Sequence, residues 1–253
     1  MNISPLVSVV IYWIVCISAG FVIAQFASLA TTIYLHRGTT HRAIVFHPFM
    51  EFLFQLDLWL TTGINRKEWE AVHLCHHAHA DMEGDPHSPL ILGFWKVQLF
   101  NAFFYWRATR DPKVLWYARH RQPVGFEKII SRIKGSGLVG LSIGVILICS
   151  AFGIKTGLII AFFHALFYVF FLNNLVNGWC HYRGYKNYPK VVAFNNRFIA
   201  WITMGEGLHN NHHYSPTNPK LSHRPDEFDP GWAILKKLVS LGLAHIERPV
   251  QAD

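Results

Sequence analysis

Charge is scarce in this chain of 253 residues, and negative charge is scarcest. Lys and Arg number 23 and Asp and Glu only 15, together 15% of the sequence, well under the quarter usual in soluble domains. An ordinary water-soluble globule is therefore excluded, and the net charge of +8 comes from a shortage of acid rather than an excess of base. Cysteine is also scarce. Cys16, Cys75, Cys149 and Cys180 form no C-x-x-C pair, which excludes a zinc ribbon, a thioredoxin-type redox motif and a disulfide framework. No internal repeat, low-complexity tract or flexible linker breaks the chain, so it reads as a single domain over 1–253. No nucleic-acid motif accompanies the positive charge, which leaves nucleic acid out as a partner.

Apolar residues fill the space. They make up 51% of the sequence, and the mean hydropathy is positive. The run 6–35 holds no charged residue and is long enough to cross a bilayer, for which about 20 apolar residues suffice. A shorter helical hairpin within it, breaking near Gly20, is the alternative. No A-x-A-like cleavage site follows the run, so it reads as a retained span rather than a signal peptide. The stretch 137–179 is long enough to cross twice. Its one charged residue, Lys155, sits in a Gly153–Gly157 turn. Every other Lys and Arg falls in or beside segments rich in histidine: Arg37 and Arg42, eleven between Arg66 and Lys134, and nine between Arg183 and Arg248. The positive-inside rule puts all of those segments in the cytoplasm and Lys155 outside. The segments 64–136 and 180–253 then form a cytoplasmic cap. The apolar segment 44–62, which carries Glu51 and Asp57, must lie in the interface or dip in and return, because a crossing would separate the histidines on either side of it.

Nine histidines are spaced as metal ligands rather than as core residues. They are His36 and His41 in H-R-G-T-T-H, His73, His76 and His77 in H-L-C-H-H, His181 in N-G-W-C-H, and His209, His212 and His213 in H-N-N-H-H. Positions i, i+3 and i+4 share a helix face, so each H-x-x-H-H triplet is expected to aim three rings at one point. The spacing of five between His36 and His41 requires the helix end to unwind or turn. Read alone, that first box is equally two interfacial histidines with Arg37 and Arg42 reaching up to the surface. Nine nitrogen donors exceed the four to six that one ion takes and suit two ions side by side. Such a pair at the cytoplasmic mouth of apolar helices suits redox iron handling O2. Asn177 stands one turn before His181 and reads as a ligand acting through water. His164 reads as an interhelical hydrogen-bonding group. Asp85 or His87, in G-D-P-H-S-P, reads as an orienter of a ligand ring, and His79, His87 and His223 are not expected to be ligands. The aromatic stretch 92–106 reads as an interfacial helix and as one wall of a lipid-chain tunnel. The tail 232–243 reads as an amphipathic helix.

With these residues the chain resembles the membrane fatty acid desaturases of the stearoyl-CoA desaturase type, especially their bacterial relatives. The likeness runs from about Tyr34 to Ser215. It rests on the three histidine boxes, the Asn177/His181 pair, Glu68-Trp69 before the second box, the 84–89 turn and the 205–213 segment. The resemblance implies an all-α integral membrane protein of three or four transmembrane helices carrying a helical cytoplasmic cap. It implies two iron ions held by the nine histidines, with Asn177 reaching one through water. It also implies O2-dependent insertion of a cis double bond, often at the ninth carbon, into an acyl chain carried on CoA or lipid. Two electrons would come from ferredoxin, cytochrome b5 or a similar carrier. No fused haem or iron–sulfur domain is visible, so the donor is expected to be separate. The chain departs from the family at two places. The membrane part before His36 is shorter than the two spans of the animal enzymes. Ala71-Val72 also replaces the Arg-Asp pair that those enzymes place near the thioester. A bacterial inner membrane is the expected location. Hydroxylation or acetylenation at the same centre is the rival chemistry, and a metal-binding membrane protein without catalysis is the rival class.

Overall fold

The computed structural model describes residues 4–248 and 250, and the architecture is helical almost throughout. The first helix, Pro5–Ala30, starts where Ser4 accepts a hydrogen bond from the Val7 amide and Pro5 supplies a preset φ at the first turn. It runs unbroken past Gly20, so the hairpin alternative is not realised. A Cβ on Gly20 would stand 2.6 Å from Phe163 Cβ, so glycine there permits close packing against a second long helix rather than a bend. From Thr31 to Thr40 the first helix widens into π turns.

The stretch 137–179 divides into the helices Ser136–Phe152 and Ile154–Ala165. The break is narrower than the expected five-residue turn. Only Gly153, at φ 81°, leaves the helix, while Gly157 packs directly on Cys149. The second of these helices also passes through π turns, at Leu166–Asn173, before ending near His181. Two continuous helical stretches, Pro5–Thr40 and Ile154–His181, are long and apolar enough to cross a membrane, and Ser136–Phe152 is shorter. Their outward faces carry exposed apolar residues such as Val9, Ile14, Phe26, Leu147 and Phe162.

Helix Pro48–Thr61 has 14 residues and spans about 21 Å, short of the roughly 30 Å hydrocarbon core of a bilayer. It packs on Ser136–Phe152 through Gly140 and Gly144, whose added Cβ atoms would fall 2.2 Å from the Trp59 and Leu60 carbonyl oxygens. The helices Arg66–His79 and Phe94–Ala108 follow it in the chain, the latter kinked at Phe100.

The expectation of a purely helical fold needs one correction. Ile44–Phe46 pairs antiparallel with Ala244–Ile246, Ile44 opposite Ile246, which binds the end of the chain to the first histidine box. Each strand is three residues long, too short to show a period of two in sequence. The amphipathic tail appears as helix Pro230–Ser240. It packs on the domain, with Leu235 fully buried in a core that includes Ile33 and Leu35. Arg37 is not a surface residue either. It is 2% exposed and donates two hydrogen bonds of 2.9 Å to the carboxylate of Asp229. That rules out the surface-reaching arginine of the alternative reading of the first box, and because the partner is 192 residues away no local pattern marks the pair.

Candidate metal centre

Local helix geometry explains how the rings gather. In the π segment an amide bonds to the carbonyl five residues back, as His41 N does to His36 O at 3.1 Å, so a spacing of five becomes one turn. His36 and His41 therefore face the same way, with ring centroids 5.0 Å apart. The second box lies on Arg66–His79, which is capped by Asn65 Oδ1 accepting from Glu68 N. The third lies on the six-residue helix His209–Tyr214.

The nine predicted histidines come together in two groups. His36, His41, His73, His77 and His212 form one, and His76, His181, His209 and His213 form the other, with the potential ligand atoms of each group within 4.8 Å of one another. The expectation that each triplet aims at one point is overturned. His76 leaves its own triplet for the second group, and His212 leaves its own for the first. At 100° per residue, positions i and i+4 lie about 40° apart, while i+3 points away on the far side of i. Each box thus gives an i, i+4 pair to one group and its middle ring to the other.

Spacing and hydrogen bonding within the groups test whether metals fit. Nε2 atoms face each other at 3.0 Å for His36/His212, His41/His73 and His73/His77, and at 2.8 Å for His77/His212. In the second group His76/His213 and His209/His213 stand at 3.3 and 3.2 Å. An imidazole nitrogen binds a first-row metal at about 2.1 Å, so two rings at right angles on one ion stand about 3.0 Å apart and two at a tetrahedral angle about 3.4 Å apart. Three of the other ring nitrogens are committed to carboxylates, while Nδ1 of His209 and of His212 is buried without a partner among the described residues. His36 Nδ1 lies 2.7 Å from Glu206, His76 Nδ1 2.9 Å from Asp85, and His181 Nδ1 2.8 Å from Asp81. A neutral ring that carries its proton on Nδ1 presents a bare lone pair at Nε2. The lone pairs of His36 and His76 then point into crowded nitrogen clusters, and His181 Nε2 is buried with no hydrogen-bond partner. Carboxylate–imidazole pairs around inward lone pairs are the usual setting of metal-bound histidine.

Electrostatics favour the neutral rings that metals require. Burial, reinforced by neighbouring rings, holds His41, His73, His77, His212 and His213 well below the ordinary imidazole range and takes His209 down to about 3. Burial pushes the Glu206 carboxyl up, but His36 and Arg37 more than offset it and hold the group at about 2. Asp85 is likewise held at about 2, its burial outweighed by the bond from His76.

Asn177 is half-buried and lines, with His36, His73 and His209, a cavity of about 680 Å³ that descends between the long helices. Val72 also borders it, and Ala71 is fully buried, so neither position offers a charge. Asn101 and Tyr105 from the aromatic helix line its wall. His87 is buried, stacks on His76 at 4.6 Å and faces the cavity, with burial lowering it to about 4. His79 pairs with the Tyr117 hydroxyl and His223 with that of Tyr188, both away from the two groups. His164 bonds the Thr61 carbonyl of a neighbouring helix, the interhelical role expected of it.

Sequence reasoning missed Asp81 and the amides that hold the third box. Asn195, Asn210 and Asn211 are fully buried. Asn195 Oδ1 accepts from the amides of Asn210 and Asn211, which the helix start would otherwise leave unpaired. Asn211 donates to Leu221 O and Glu227 and accepts from Asn187 and Asn195. The available signal was the rarity of acid: two of only 15 acidic residues, Asp81 and Asp85, closely follow the second box.

Comparison with known proteins identifies the class. The fatty acid desaturase family model matches residues 11–224, and the chain belongs to that family. It is similar to an acyl-CoA C20 Delta5-desaturase of Anemone leveillei, 30% identical over 226 residues, which are 85% of this chain and 67% of that one. It is also similar to an sn-1 stearoyl-lipid 9-desaturase of Synechocystis, 28% identical over 85% of this chain and 66% of its length. A third relative is a chloroplastic palmitoyl-monogalactosyldiacylglycerol delta-7 desaturase of Arabidopsis thaliana, 26% identical over 89% of this chain and 60% of its length. The chain is therefore an oxidoreductase acting on fatty acyl chains.

Proposed function

We propose that this protein is an O2-dependent di-iron desaturase that inserts a cis double bond at the ninth carbon of a saturated acyl chain carried on CoA or lipid. The observation that carries the reading is the position of the two histidine groups, which stand at the head of an apolar cavity shaped to take a chain. His36, His41, His73, His77 and His212 would hold one iron and His76, His181, His209 and His213 the other, with Asn177 acting through water. Iron bound there supplies the reduction of O2 and an oxidant strong enough to take hydrogen from an unactivated C–H bond.

The chain's own residues do the rest. Glu206, Asp85 and Asp81 fix the tautomer and direction of His36, His76 and His181. Buried neutral rings keep protons off the nitrogens that must bind metal. The cavity wall excludes water and holds one pair of methylenes beside His36, His73 and His209, and this proximity selects the bond that reacts. The long helices lie in a membrane, a bacterial inner membrane in this reading, with the cap on the cytoplasmic side. A separate carrier of the ferredoxin or cytochrome b5 type delivers the two electrons.

Expression in a host that lacks the activity, with its lipids read by gas chromatography and mass spectrometry, tests the proposal. A new cis-Δ9 acid that depends on O2 and on iron is expected. Its replacement by a hydroxy acid would assign the rival chemistry, and an unchanged lipid profile with no iron bound would reject the enzyme reading.

A further inference from the structure

The cavity beneath the rings is not uniformly apolar. Near Thr31, five residues before His36, its wall turns polar, and Thr31, Asp57, Thr61, His164 and Tyr168 all border it. Two of these satisfy each other. Thr31 Oγ1 donates to Ala27 O at 2.8 Å, and the Tyr168 hydroxyl lies 2.7 Å from the same oxygen and so donates to it. His164 Nε2 bonds the Thr61 carbonyl at 2.7 Å. A carbonyl only accepts, so Nε2 carries the proton and the neutral ring keeps a lone pair on Nδ1. That Nδ1 is buried and has no hydrogen-bond partner among the described residues, and the same is true of Asp57 Oδ2. The imidazole stacks 6.1 Å from the Tyr168 ring, one helical turn further along, which joins it to the Thr31/Tyr168 pair, and Asp57 stands one turn before Thr61, whose carbonyl the imidazole bonds, on the same cavity wall.

A saturated chain passing this belt would leave both atoms unpaired in a dry site, an unfavourable arrangement. A wall that served only methylenes would need neither side chain. A hydroxyl suits the belt, because its one proton goes to the bare His164 nitrogen while its oxygen accepts from Asp57 when that carboxyl is protonated.

We propose, resting on the reading that this cavity holds the acyl substrate, that Asp57 and His164 bind a hydroxyl carried by that chain on the methyl side of the reacting carbons. The natural substrate class is then a hydroxylated acyl chain rather than a plain one. The hydroxyl donates to His164 Nδ1, and its oxygen accepts from the protonated carboxyl of Asp57. Its place along the chain follows from the helix. Thr31 lies five residues before His36 on the π-helical stretch, and His164 lies one turn deeper than Tyr168, so the hydroxyl falls several carbons beyond the bond that reacts. The window is the part of the chain between the reacting bond and the methyl end. Trapped water offers the same hydroxyl chemistry, and the experiment must separate the two sources.

The test supplies cells expressing the full chain with stearate and with a set of hydroxystearates differing in hydroxyl position, and measures the unsaturated product of each by mass spectrometry. Purified protein adds a second readout, in which stearate and each hydroxystearate compete with a bound fluorescent polyene fatty acid. The expected result is a preference of roughly tenfold for chains hydroxylated within the stated window, in both product formation and competition. That preference should collapse towards unity in Asp57→Leu and His164→Leu and return in part in Asp57→Asn. Equal use and equal binding of stearate and every hydroxystearate by the unaltered protein would overturn the proposal and assign the belt to water, whatever the variants do. Stearate desaturated while every hydroxystearate is refused would overturn it too. If no chain is desaturated, yet hydroxystearates still compete about tenfold better, the desaturase reading fails and the hydroxyl site stands.

Discussion

The second and third histidine boxes carry the same H-x-x-H-H pattern and are built by opposite means. The second sits on a 14-residue helix that makes its own hydrogen bonds, starts at the Asn65 cap and is anchored by Arg66 bridging Glu70 and Glu127. The third sits on six residues, too few for a helix to hold itself in water. No side chain of Leu208 caps it. Instead the remote Asn195 accepts its first amides, and Asn210 and Asn211 pin it to the 187–193 and 221–227 segments. One box is shaped by secondary structure and the other by a buried amide network. They still deliver mirrored sets, because each gives its outer rings to one group and its middle ring to the other. Sequence pattern specifies which rings are offered, and the support behind each box decides how firmly they are aimed.

The sharpest way to break this symmetry is to remove a crossing ring. His76→Ala and His212→Ala should each cost at least about 100-fold in desaturation and deplete bound iron, with the helices still folded by circular dichroism. Acidification should act on the second group and on His87 beside it. Burial takes His209 down to about 3 and His87 to about 4 in the folded protein, against an ordinary value of 6.5. The unfolded chain therefore binds more protons between those values, and stability rises with pH across that range. Iron-free protein should keep its full stability above about pH 6.5 and lose it progressively as pH falls towards 3. Thermal unfolding at pH 7 and pH 5 checks the sign, and equal midpoints would contradict it.

The contrast in support predicts unequal costs. Asn211→Ala removes four hydrogen bonds and leaves Glu227 and the Leu221 carbonyl short of a donor, so it should cost about 2–4 kcal/mol by chemical or thermal unfolding in detergent. Asp81→Asn and Asp85→Asn should weaken iron binding about 10- to 100-fold by chelator competition while sparing the fold. The smallest effect belongs to the self-supporting helix, where Asn65→Ala should cost only about 1 kcal/mol. Equal losses for Asn65→Ala and Asn211→Ala would remove the distinction between the two boxes.

Spacing alone marked the nine histidines, and their number pointed to more than one group, as the structure has it. It did not show the exchange of middle rings. A shared helix face is about 100° wide, enough to serve two points rather than one. The carboxylates were less legible. Asp81 meets a ring 100 residues away, and Asp229 meets Arg37 across 192, so no local pattern couples them. The long apolar helices were plain from composition. The Ile44–Phe46 ribbon was not, because three residues carry no periodic signal.

The most direct test is the metal content of the intact protein purified from iron-replete cells, measured alongside His76→Ala and His212→Ala. Two irons per chain are expected, with each variant losing metal together with desaturation. One iron or none in a fully active protein, or full activity in either variant, would contradict the two-centre account.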